Sequence, residues 1–246
     1  MRAVPTNHFG EAVARRYDTM YADQAAPDVI DPAIDFLAAL ANGGGALELG
    51  VGTGRLALPL SRLGMRVHGI DLSPEMVARL QAKPGAERVG VKIGDFATTR
   101  VEEAFRVVYL VRNTIMNLTS QEEQVACFRN AAAHLDPGGR FVIELELPDL
   151  QRLPPGETMR VFEAHERHWG IDEYDVASQR LVSHHFELVD GRFELVSLPF
   201  RYAWPAELDL MAQLAGLRLE GRFAGWRREP FRSDSRKHVS VWQKPS

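Results

Sequence analysis

Three glycines spaced two residues apart, Gly50, Gly52 and Gly54, form the most distinctive chemical pattern of this 246-residue chain. They stand between an apolar run that is typical of a strand and a run with helical spacing. Because glycine has no Cβ, such a turn can be tight and a ligand can approach its backbone closely. Dinucleotide-binding folds space these glycines as G-x-G-x-x-G, whereas Arg55 occupies the third position here. The spacing therefore argues against NAD and against an NAD-dependent oxidoreductase.

Acidic residues accompany the glycines near the ends of successive apolar runs. Glu48 lies just before the glycine loop, Asp71 ends the next run, and Gly94-Asp95-Phe96 ends the third. In a parallel sheet these ends share the edge where ligands bind, and the Asp71 carboxylate can accept both hydroxyls of a ribose. The alternative interpretation is that Asp71 and Asp95 are solvated carboxylates without a ligand.

Short apolar runs alternate with helical patterns over residues 46–139, which predicts βαβ units and a parallel sheet. A fourth strand at residues 106–111 and a helix at 121–135 continue the alternation, and a fifth strand follows the helix. The sequence therefore predicts an α/β fold with a doubly wound sheet.

The texture of the chain changes over residues 148–204. Prolines are followed by extended segments and an Asp190-Gly191 turn, which indicates an antiparallel β insertion after strand five. A helix beginning at Pro205 and strands near residues 218–223 and 238–243 then return to the sheet. With these two closing strands the predicted sheet is mostly parallel and seven-stranded.

The glycine motif ELGVGTG at residues 48–54, Asp71 and the Gly94-Asp95-Phe96 run together resemble the class I S-adenosylmethionine-dependent methyltransferases over about residues 9–147. The resemblance implies the Rossmann-like fold of that family and S-adenosylmethionine as cofactor. It also implies that the glycine loop passes under the methionine part. Glu48 would help to organise the amino-acid end, and Asp71 would hold the ribose diol.

The same resemblance implies positions around the adenine. Leu72 lies beside the adenine, Asp95 faces its amino group and Phe96 covers its ring. Asn113, just beyond the fourth strand, is placed to contact the methionine part or the acceptor, although asparagine is also a common turn former. The predicted cofactor-binding residues are Glu48, Gly50, Gly52, Gly54, Arg55, Asp71, Leu72, Asp95, Phe96 and Asn113.

Near the N-terminus, Tyr17, Asp18 and Tyr21 form a Tyr-Asp-x-x-Tyr pattern that puts both tyrosines on one helical face. In similar small-molecule methyltransferases, including amino-sugar N-methyltransferases, such a segment folds over the cofactor as a lid. The resemblance thus makes Tyr17 a candidate catalytic residue, while the alternative is a helix that simply docks its aromatic face. The predicted parts of the chain are a helical lid segment (1–40), a cofactor-binding core (41–147), the insertion on the acceptor side (148–204) and a C-terminal helix with closing strands (205–246).

Candidate proton acceptors follow strand five. Glu144 lies at its carboxyl end, where an acid can bind an amine or take a proton, or can be solvated. In the insertion, alternation places His184 on an apolar face, as a buried base or as a hydrogen-bonded core residue. His165 is a third candidate, to which the same alternatives apply.

The spacing of His165 and His168 suits a metal site on a helix. This segment is predicted to be a strand, on which the two side chains point to opposite faces, and no third ligand follows at motif spacing. Cys127 is the single cysteine and lies beside the apolar stripe by which the predicted helix at residues 121–135 faces the core. It is therefore predicted to pack rather than to react. We therefore predict that no metal binds.

Composition limits the partners. A formal charge of −4 without a basic stripe argues against nucleic acid. The chain lacks a signal-peptide pattern and an apolar run of about 18 residues, so neither secretion nor membrane insertion is expected. We therefore expect a cytoplasmic location. The edge strands of the insertion make a homodimer a further expectation.

These observations predict methyl transfer from S-adenosylmethionine to a small-molecule acceptor. An aromatic heterocycle, for example at an indole-type carbon, or an amine is expected, as in the tailoring of natural products. The alternatives are an amino-sugar or other amine N-methyltransferase and a non-catalytic S-adenosylmethionine-binding module. In the expected mechanism Tyr17 orders the reactants, and His184, His165 or Glu144 accepts a proton.

Overall fold

A computed structural model describes residues 6–246 and contains two β-sheets. The larger sheet has the order β10-β11-β5-β4-β1-β2-β3, and its first five strands in the chain pair in parallel, whereas β11 runs antiparallel to both neighbours. This confirms the predicted doubly wound, mostly parallel seven-stranded sheet. Its strands are β1 (Ala46–Leu49), β2 (Val67–Asp71), β3 (Val89–Ile93), β4 (Phe105–Leu110), β5 (Leu135–Glu146), β10 (Arg218–Phe223) and β11 (Lys237–Gln243).

The strand order reverses between β1 and β4, which are neighbours in the middle of the sheet. Loops that leave neighbouring parallel strands in opposite directions open a crevice at their carboxyl ends, where ligands of such folds bind. The glycine loop after β1 and residues 111–113 after β4 flank this crevice. The topology therefore brings together the segments that the sequence marks as chemical.

Helices cover both faces of the larger sheet. Apolar residues of α2 and α3 pack on one face, and those of α5 and α6 pack on the other. Phe128 of α5 packs against Phe141 and Trp242 of the sheet, and the three ring centroids are 5.0–6.1 Å apart. The helices are α1 (Glu11–Met20), α2 (Pro27–Ala41), α3 (Ala57–Arg62), α4 (Pro74–Gln81), α5 (Gln121–His134) and α6 (Pro205–Leu214).

Local sequence explains where α5 begins. Ser120 accepts a hydrogen bond from the Glu123 backbone N–H, and the Glu123 side chain accepts one from the Ser120 backbone N–H. This reciprocal cap satisfies two backbone donors that a helix start leaves free. Cys127 lies on the buried side of α5, and burial raises the pKa of its thiol, as expected for a packing residue.

After β5 the chain forms a separate antiparallel meander with the order β6-β7-β8-β9. This confirms the predicted small antiparallel insertion. Asp190 and Gly191 adopt positive φ angles of 47° and 79° in the turn between its last two strands, as such hairpin turns require. The strands are β6 (Met159–His165), β7 (His168–Asp175), β8 (Arg180–Val189) and β9 (Arg192–Arg201).

One local prediction in this region is wrong. His165 and His168 do not lie on a single strand, because a turn at residues 166–167 separates β6 from β7. The two histidines are cross-strand partners in the resulting hairpin, and their rings lie 5.7 Å apart. Residues that pair across an antiparallel ladder share a face of the sheet, so the geometric reason given against a metal does not hold.

A buried ion-pair network joins the small sheet to the helices of the core. Arg201, at the end of β9 and only 5% exposed, donates to Gln124 Oε1 at 2.6 Å and to Glu207 Oε1 at 2.7 Å. The Gln124 side chain donates in turn to the Arg201 backbone carbonyl. The network fixes the base of the small sheet against α5 and α6. Within residues 6–246, no helix combines the length and the apolar character needed to cross a membrane.

Candidate active site

The glycine loop turns sharply at the end of β1. Gly50, Gly52 and Gly54 all have positive φ angles, of 77°, 53° and 81°. A Cβ on Gly50 would lie 2.6 Å from Thr114 Cγ2, so this glycine also lets the loops after β1 and β4 approach each other. The Gly52 N–H donates to Asp71 Oδ2 at 2.6 Å, which ties the loop to the end of β2.

Asp71 is held by backbone donors on both of its oxygens. Besides the bond from Gly52, Oδ1 accepts a hydrogen bond from the Ser73 N–H at 2.9 Å. Burial raises the pKa of Asp71, and these backbone hydrogen bonds oppose the increase. Each carboxylate oxygen has a second lone pair, so both can still accept from a diol.

Glu48 lies in β1, just before the glycine loop, and is only 3% exposed. Burial raises its pKa to about 8, while the hydrogen bond donated by Tyr109 Oη at 3.0 Å opposes the increase. With this pKa the carboxyl group is mostly protonated at neutral pH in the ligand-free chain. A ligand that brings a positive charge next to Glu48 would favour its ionised form.

Arg55 acts electrostatically on Glu48, and Arg112 acts in turn on Arg55. Burial, followed by the neighbouring charge of Arg112, lowers the pKa of Arg55, whose Nη1 donates to the Gln24 carbonyl at 3.1 Å. The guanidinium of Arg112 lies 4.8 Å from the centre of the Tyr21 ring. Its Nη1 is buried and has no hydrogen-bond partner among the residues that the structure describes. A buried donor of this kind fits an anionic group of a ligand.

Asn113 follows Arg112, and both adopt positive φ angles, of 62° and 54°. The Asn113 side chain accepts a hydrogen bond from the Glu146 N–H at 2.8 Å and donates to Glu146 Oε2 at 3.2 Å. These bonds tie the loop after β4 to the end of β5. The left-handed turn that they stabilise aims Arg112 at the crevice, and it corresponds to the alternative of Asn113 as a turn former.

The residues predicted near an adenine lie farther along the same edge. Asp95 Oδ1 accepts from the Ala97 N–H at 2.8 Å, so its carboxylate organises the turn after β3. Phe96 is 8% exposed and belongs to the core beneath this turn. Leu72 is half-buried beside Asp71. The fold thus brings the ends of β1, β2 and β3 together as the sequence pattern indicates.

Helix α1 lies across the glycine loop. Asp18 Oδ1 accepts from the Thr53 hydroxyl at 2.6 Å, and Asp18 Oδ2 pairs with Lys83 Nζ at 2.6 Å. On the other side of the helix, Arg16 Nη1 pairs with Glu187 Oε2 of the small sheet at 3.1 Å. Helix α1 therefore contacts both the glycine loop and the small sheet, and its role as a lid stays a prediction.

Tyr17 projects from α1 into the same region. Its ring lies 4.8 Å from that of Tyr21, centroid to centroid. Burial raises the pKa of Tyr17, and the charges of Arg112, Arg55 and Asp71 also act on it. Tyr17 is therefore neutral at physiological pH and close to the ionic groups of the crevice.

A cavity of about 870 Å³ extends from the loop after β4 to the small sheet. We call it the acceptor cavity. Its walls include an aromatic set, namely Phe162, Tyr174, Phe200, Tyr202 and Trp204. Its polar and charged lining includes Arg112, Asn113, Glu146, Arg160, Asp172, Ser183 and His185.

Asp172 is an acidic group on the small-sheet wall of the acceptor cavity. Burial raises its pKa, whereas hydrogen bonds from the Ser183 and Tyr174 side chains oppose the increase. The Tyr174 hydroxyl lies 3.4 Å from Asp172 Oδ2. His185 is on the same wall, with Nε2 3.2 Å from Ser183 Oγ, and burial followed by the charge of His168 lowers its pKa.

The residues predicted as proton acceptors lie elsewhere. His184 is on the opposite face of β8, with Nδ1 2.8 Å from Ser197 Oγ and Nε2 3.4 Å from Glu173 Oε2. His165 is exposed near the tip of the β6–β7 hairpin. The structure brings neither side chain to the acceptor cavity.

Glu144, the third predicted acceptor, is occupied by protein donors. Its Oε1 accepts from Trp226 Nε1 at 2.8 Å, and its Oε2 accepts from the Arg112 N–H at 3.1 Å. These bonds give Glu144 a role in orienting the loop after β4. Arg112, Asp172 and His185 are the cavity residues that sequence reasoning missed. The alternation along β8 predicts that His185 and His184 lie on opposite faces. It does not predict which of the two faces meets the core.

Comparisons with known proteins agree with this arrangement of loop, carboxylates and cavity. Residues 46–139, which contain the glycine loop, Asp71 and Asp95, match the protein family described as "Methyltransferase domain". The cypemycin N-terminal methyltransferase of Streptomyces sp is 30% identical over 203 residues, which cover 80% of this chain and 82% of that protein. The chain therefore belongs to this methyltransferase family and is an S-adenosylmethionine-dependent methyltransferase. This decides against the oxidoreductase and the non-catalytic module.

Among solved structures, the chain is similar to the CcbJ methyltransferase from Streptomyces caelestis. The two share 39% identity and a TM-score of 0.85 over 97% of this chain and 98% of that one. The fold also resembles CalS10, an amino pentose methyltransferase from Micromonospora echinaspora involved in calicheamicin biosynthesis, with 20% identity and a TM-score of 0.67 over 93% of this chain and 96% of that one. The relatives thus include enzymes of natural-product biosynthesis.

Proposed function

We propose that this methyltransferase methylates an amine nitrogen of a small natural product that binds in the acceptor cavity. The observation that carries the proposal is Asp172, a carboxyl group on the cavity wall whose pKa burial raises. A carboxylate in such a position can both attract an ammonium group and take its proton. The aromatic walls would hold the apolar body of the acceptor.

The residues of the crevice fit S-adenosylmethionine as a molecule with charges of both signs. The buried Glu48 would hold the amino group, and the unpaired Arg112 Nη1, with Arg55 nearby, would hold the carboxylate. Asp71 would accept the ribose hydroxyls. Leu72, Asp95 and Phe96 would surround the adenine, as the family resemblance implies. When bound, the cofactor supplies a methyl group on a positively charged sulfur.

The proposed role of Asp172 is to remove a proton from the acceptor nitrogen. An amine acceptor is mostly an ammonium at neutral pH, and its nitrogen is a nucleophile only after a proton has left. Asp172 accepts this proton, the C–N bond forms as the C–S bond breaks, and a neutral thioether leaves. Tyr17 and Asn113 would keep the nitrogen, the methyl carbon and the sulfur in line, because alignment supplies most of the rate in such a displacement.

The relatives support an amine. The names of the cypemycin N-terminal methyltransferase and of the amino pentose methyltransferase both point to amine-bearing acceptors. The second candidate is an aromatic heterocycle methylated at an indole-type carbon, which the aromatic lining of the cavity favours. An amino-sugar is one form that the amine acceptor can take.

A screen with methyl-labelled S-adenosylmethionine tests the proposal. Three acceptor panels are compared: peptides with free N-termini, amino-sugars, and indoles. We expect label to enter amines. We also expect Asp172→Asn to lower the turnover number by about 100-fold, the usual contribution of a general base, while binding of S-adenosylhomocysteine is unchanged.

Glu173→Gln is the matched control, because Glu173 is the next residue and pairs with His184 on the opposite face of the sheet. It should retain full turnover. If label enters indoles but not amines, the amine is ruled out as the acceptor class and the aromatic heterocycle takes its place. Full turnover in Asp172→Asn would remove Asp172 as the base.

A further inference from the structure

We propose that Glu163, His165 and His168 form a binding site for one divalent transition-metal ion, with Zn²⁺ as the best match. The site lies near the tip of the β6–β7 hairpin and outside the cofactor crevice. It does not rest on the proposed amine acceptor, because none of the three side chains lines the acceptor cavity.

The carboxylate of Glu163 stands between two imidazoles. Its Oε1 is 3.1 Å from His165 Nε2, and its Oε2 is 3.1 Å from His168 Nδ1. The three potential ligand atoms all lie within 4.8 Å of one another. Two ligand atoms around a tetrahedral zinc, each about 2.1 Å from the metal, are roughly 3.4 Å apart. Small side-chain rotations therefore suffice to converge on one ion.

The backbone explains why three ligands meet here. Cross-strand pairing sets His165 opposite His168 on one face of the hairpin. A register irregularity between Val161 and Glu163 then pairs Glu163 with Gly170, on the same side. From Glu163 onward the ladder is regular, so Glu163 and His165, two residues apart on β6, share a face with His168, and the carboxylate lies beside both histidines.

His185 provides the support that metal-binding histidines usually have. Its Nδ1 lies 3.1 Å from His168 Nε2, so His168 Nδ1 is directed at Glu163 while its other nitrogen is engaged. The two rings stack with centroids 5.3 Å apart. Such outer partners fix the tautomer and orientation of a ligating imidazole.

Donor chemistry selects the class of metal. Two imidazoles and one carboxylate form the set that zinc sites with an open fourth position use, whereas Ca²⁺ and Mg²⁺ prefer oxygen ligands alone. Glu163 and His165 are about half exposed, so an ion can reach the site from solvent. Since His185 lines the acceptor cavity, the ion would stand one side chain away from the cavity wall.

Calorimetric titration of the full, tag-free chain with Zn²⁺ alone, after treatment with a chelator, tests the proposal. We expect one ion per chain, and we expect that ion to be lost in His165→Ala and in His168→Ala. His185→Phe keeps all three ligands but removes the support, and should weaken binding by about 10–100-fold. Co²⁺ should give visible absorption bands of a tetrahedral site in the same variants that retain Zn²⁺.

His184→Ala is the control for nonspecific binding, because His184 also pairs with a glutamate, Glu173, but on the other face of the sheet. It should bind Zn²⁺ as the wild type does. Absence of zinc binding by the wild type, or stoichiometry unchanged in both His165→Ala and His168→Ala, would overturn the proposal. Melting curves of each variant, recorded without metal, separate loss of a ligand from loss of the fold.

Discussion

The two walls of the active site are built in different ways. At the carboxyl edge of the parallel sheet, backbone donors from the glycine loop and from Ser73 hold Asp71, so the main chain itself sets the geometry. On the small antiparallel sheet, Asp172 contacts the side chains of Ser183 and Tyr174. A wall fixed by backbone resists substitution, whereas one made of side chains can be altered without changing the fold.

This difference suits the two halves of a transfer reaction. The cofactor is the same in every methyltransferase of the family, and a backbone-defined crevice preserves its contacts. Acceptors differ between enzymes, and the β-strands of the small sheet present exchangeable side chains on a stable ladder. We therefore expect substitutions in the core to affect cofactor binding or stability, and substitutions on the small sheet to affect the acceptor.

Arg201→Ala tests the connection between the two sheets and should have the largest effect. It removes the guanidinium that donates to both Gln124 Oε1 and Glu207 Oε1 and leaves the buried Glu207 carboxylate without its cation, although Gln121 and Gln179 still donate to Glu207. We expect the free energy of unfolding to fall by about 3–5 kcal/mol, measured in urea. Arg192→Ala, at the exposed start of β9, is the control. A loss below about 1 kcal/mol would mean that other contacts hold the small sheet in place.

Asp71→Ala tests whether the core wall alone binds the cofactor. It removes an acceptor of two backbone hydrogen bonds together with the proposed ribose contact, so affinity for S-adenosylmethionine and S-adenosylhomocysteine should fall by about 100-fold. Calorimetric titration measures both ligands. Asp175→Ala, an exposed carboxylate at the end of β7, should bind them normally. Equal affinities in the two variants would exclude Asp71 from the cofactor site.

Glu48→Gln tests the buried charge through pH. The folded-state pKa of about 8 is above the ordinary value of 4.5, so the ligand-free folded chain holds a proton that the unfolded chain has lost between these values. The stability contribution of Glu48 is therefore present at low pH and is lost as pH rises through this window, by about 1.4 kcal/mol per unit. Urea unfolding at several pH values should show that Glu48→Gln removes this slope. Identical slopes would place the Glu48 pKa near its ordinary value.

Tyr17→Phe should have the smallest effect. Removal of one hydroxyl beside Arg112 and Asp71 is expected to weaken S-adenosylhomocysteine binding by about fivefold, equivalent to one modest hydrogen bond, while the ring packing with Tyr21 persists. Titration against the wild type measures the change. Unchanged affinity would limit Tyr17 to packing or to the acceptor.

Much of the core follows from sequence because its signals are local. Glycine spacing, strand-end acids and the alternation of elements all depend on short stretches, and they predict both the sheet and the crevice. The cofactor residues lie together at one edge because parallel strands end there, although their individual contacts remain a prediction. Arg112 was missed because its approach depends on two consecutive left-handed residues, Arg112 and Asn113, which no sequence rule indicates.

The sequence predicts that the small sheet is antiparallel, but it does not predict which face of the sheet meets the core. A period of two tells which side chains share a face, so His184 and His185 were separated correctly, but it does not tell which face meets the core. The turn at residues 166–167 was also missed, and one unrecognised turn moved His165 and His168 onto the same side. Both errors concern long-range packing, which a local pattern does not contain. The homodimer stays a prediction.

Helix α1 holds Thr53 through Asp18 and the small sheet through Arg16 and Glu187. Because one element makes both contacts, its withdrawal from the glycine loop also breaks its hold on the acceptor side. Cofactor and acceptor then share a coupling free energy: if a bound acceptor favours the closed helix, it tightens cofactor binding by the same factor by which the cofactor tightens acceptor binding. In that case the exchange of spent cofactor would be linked to release of the methylated product.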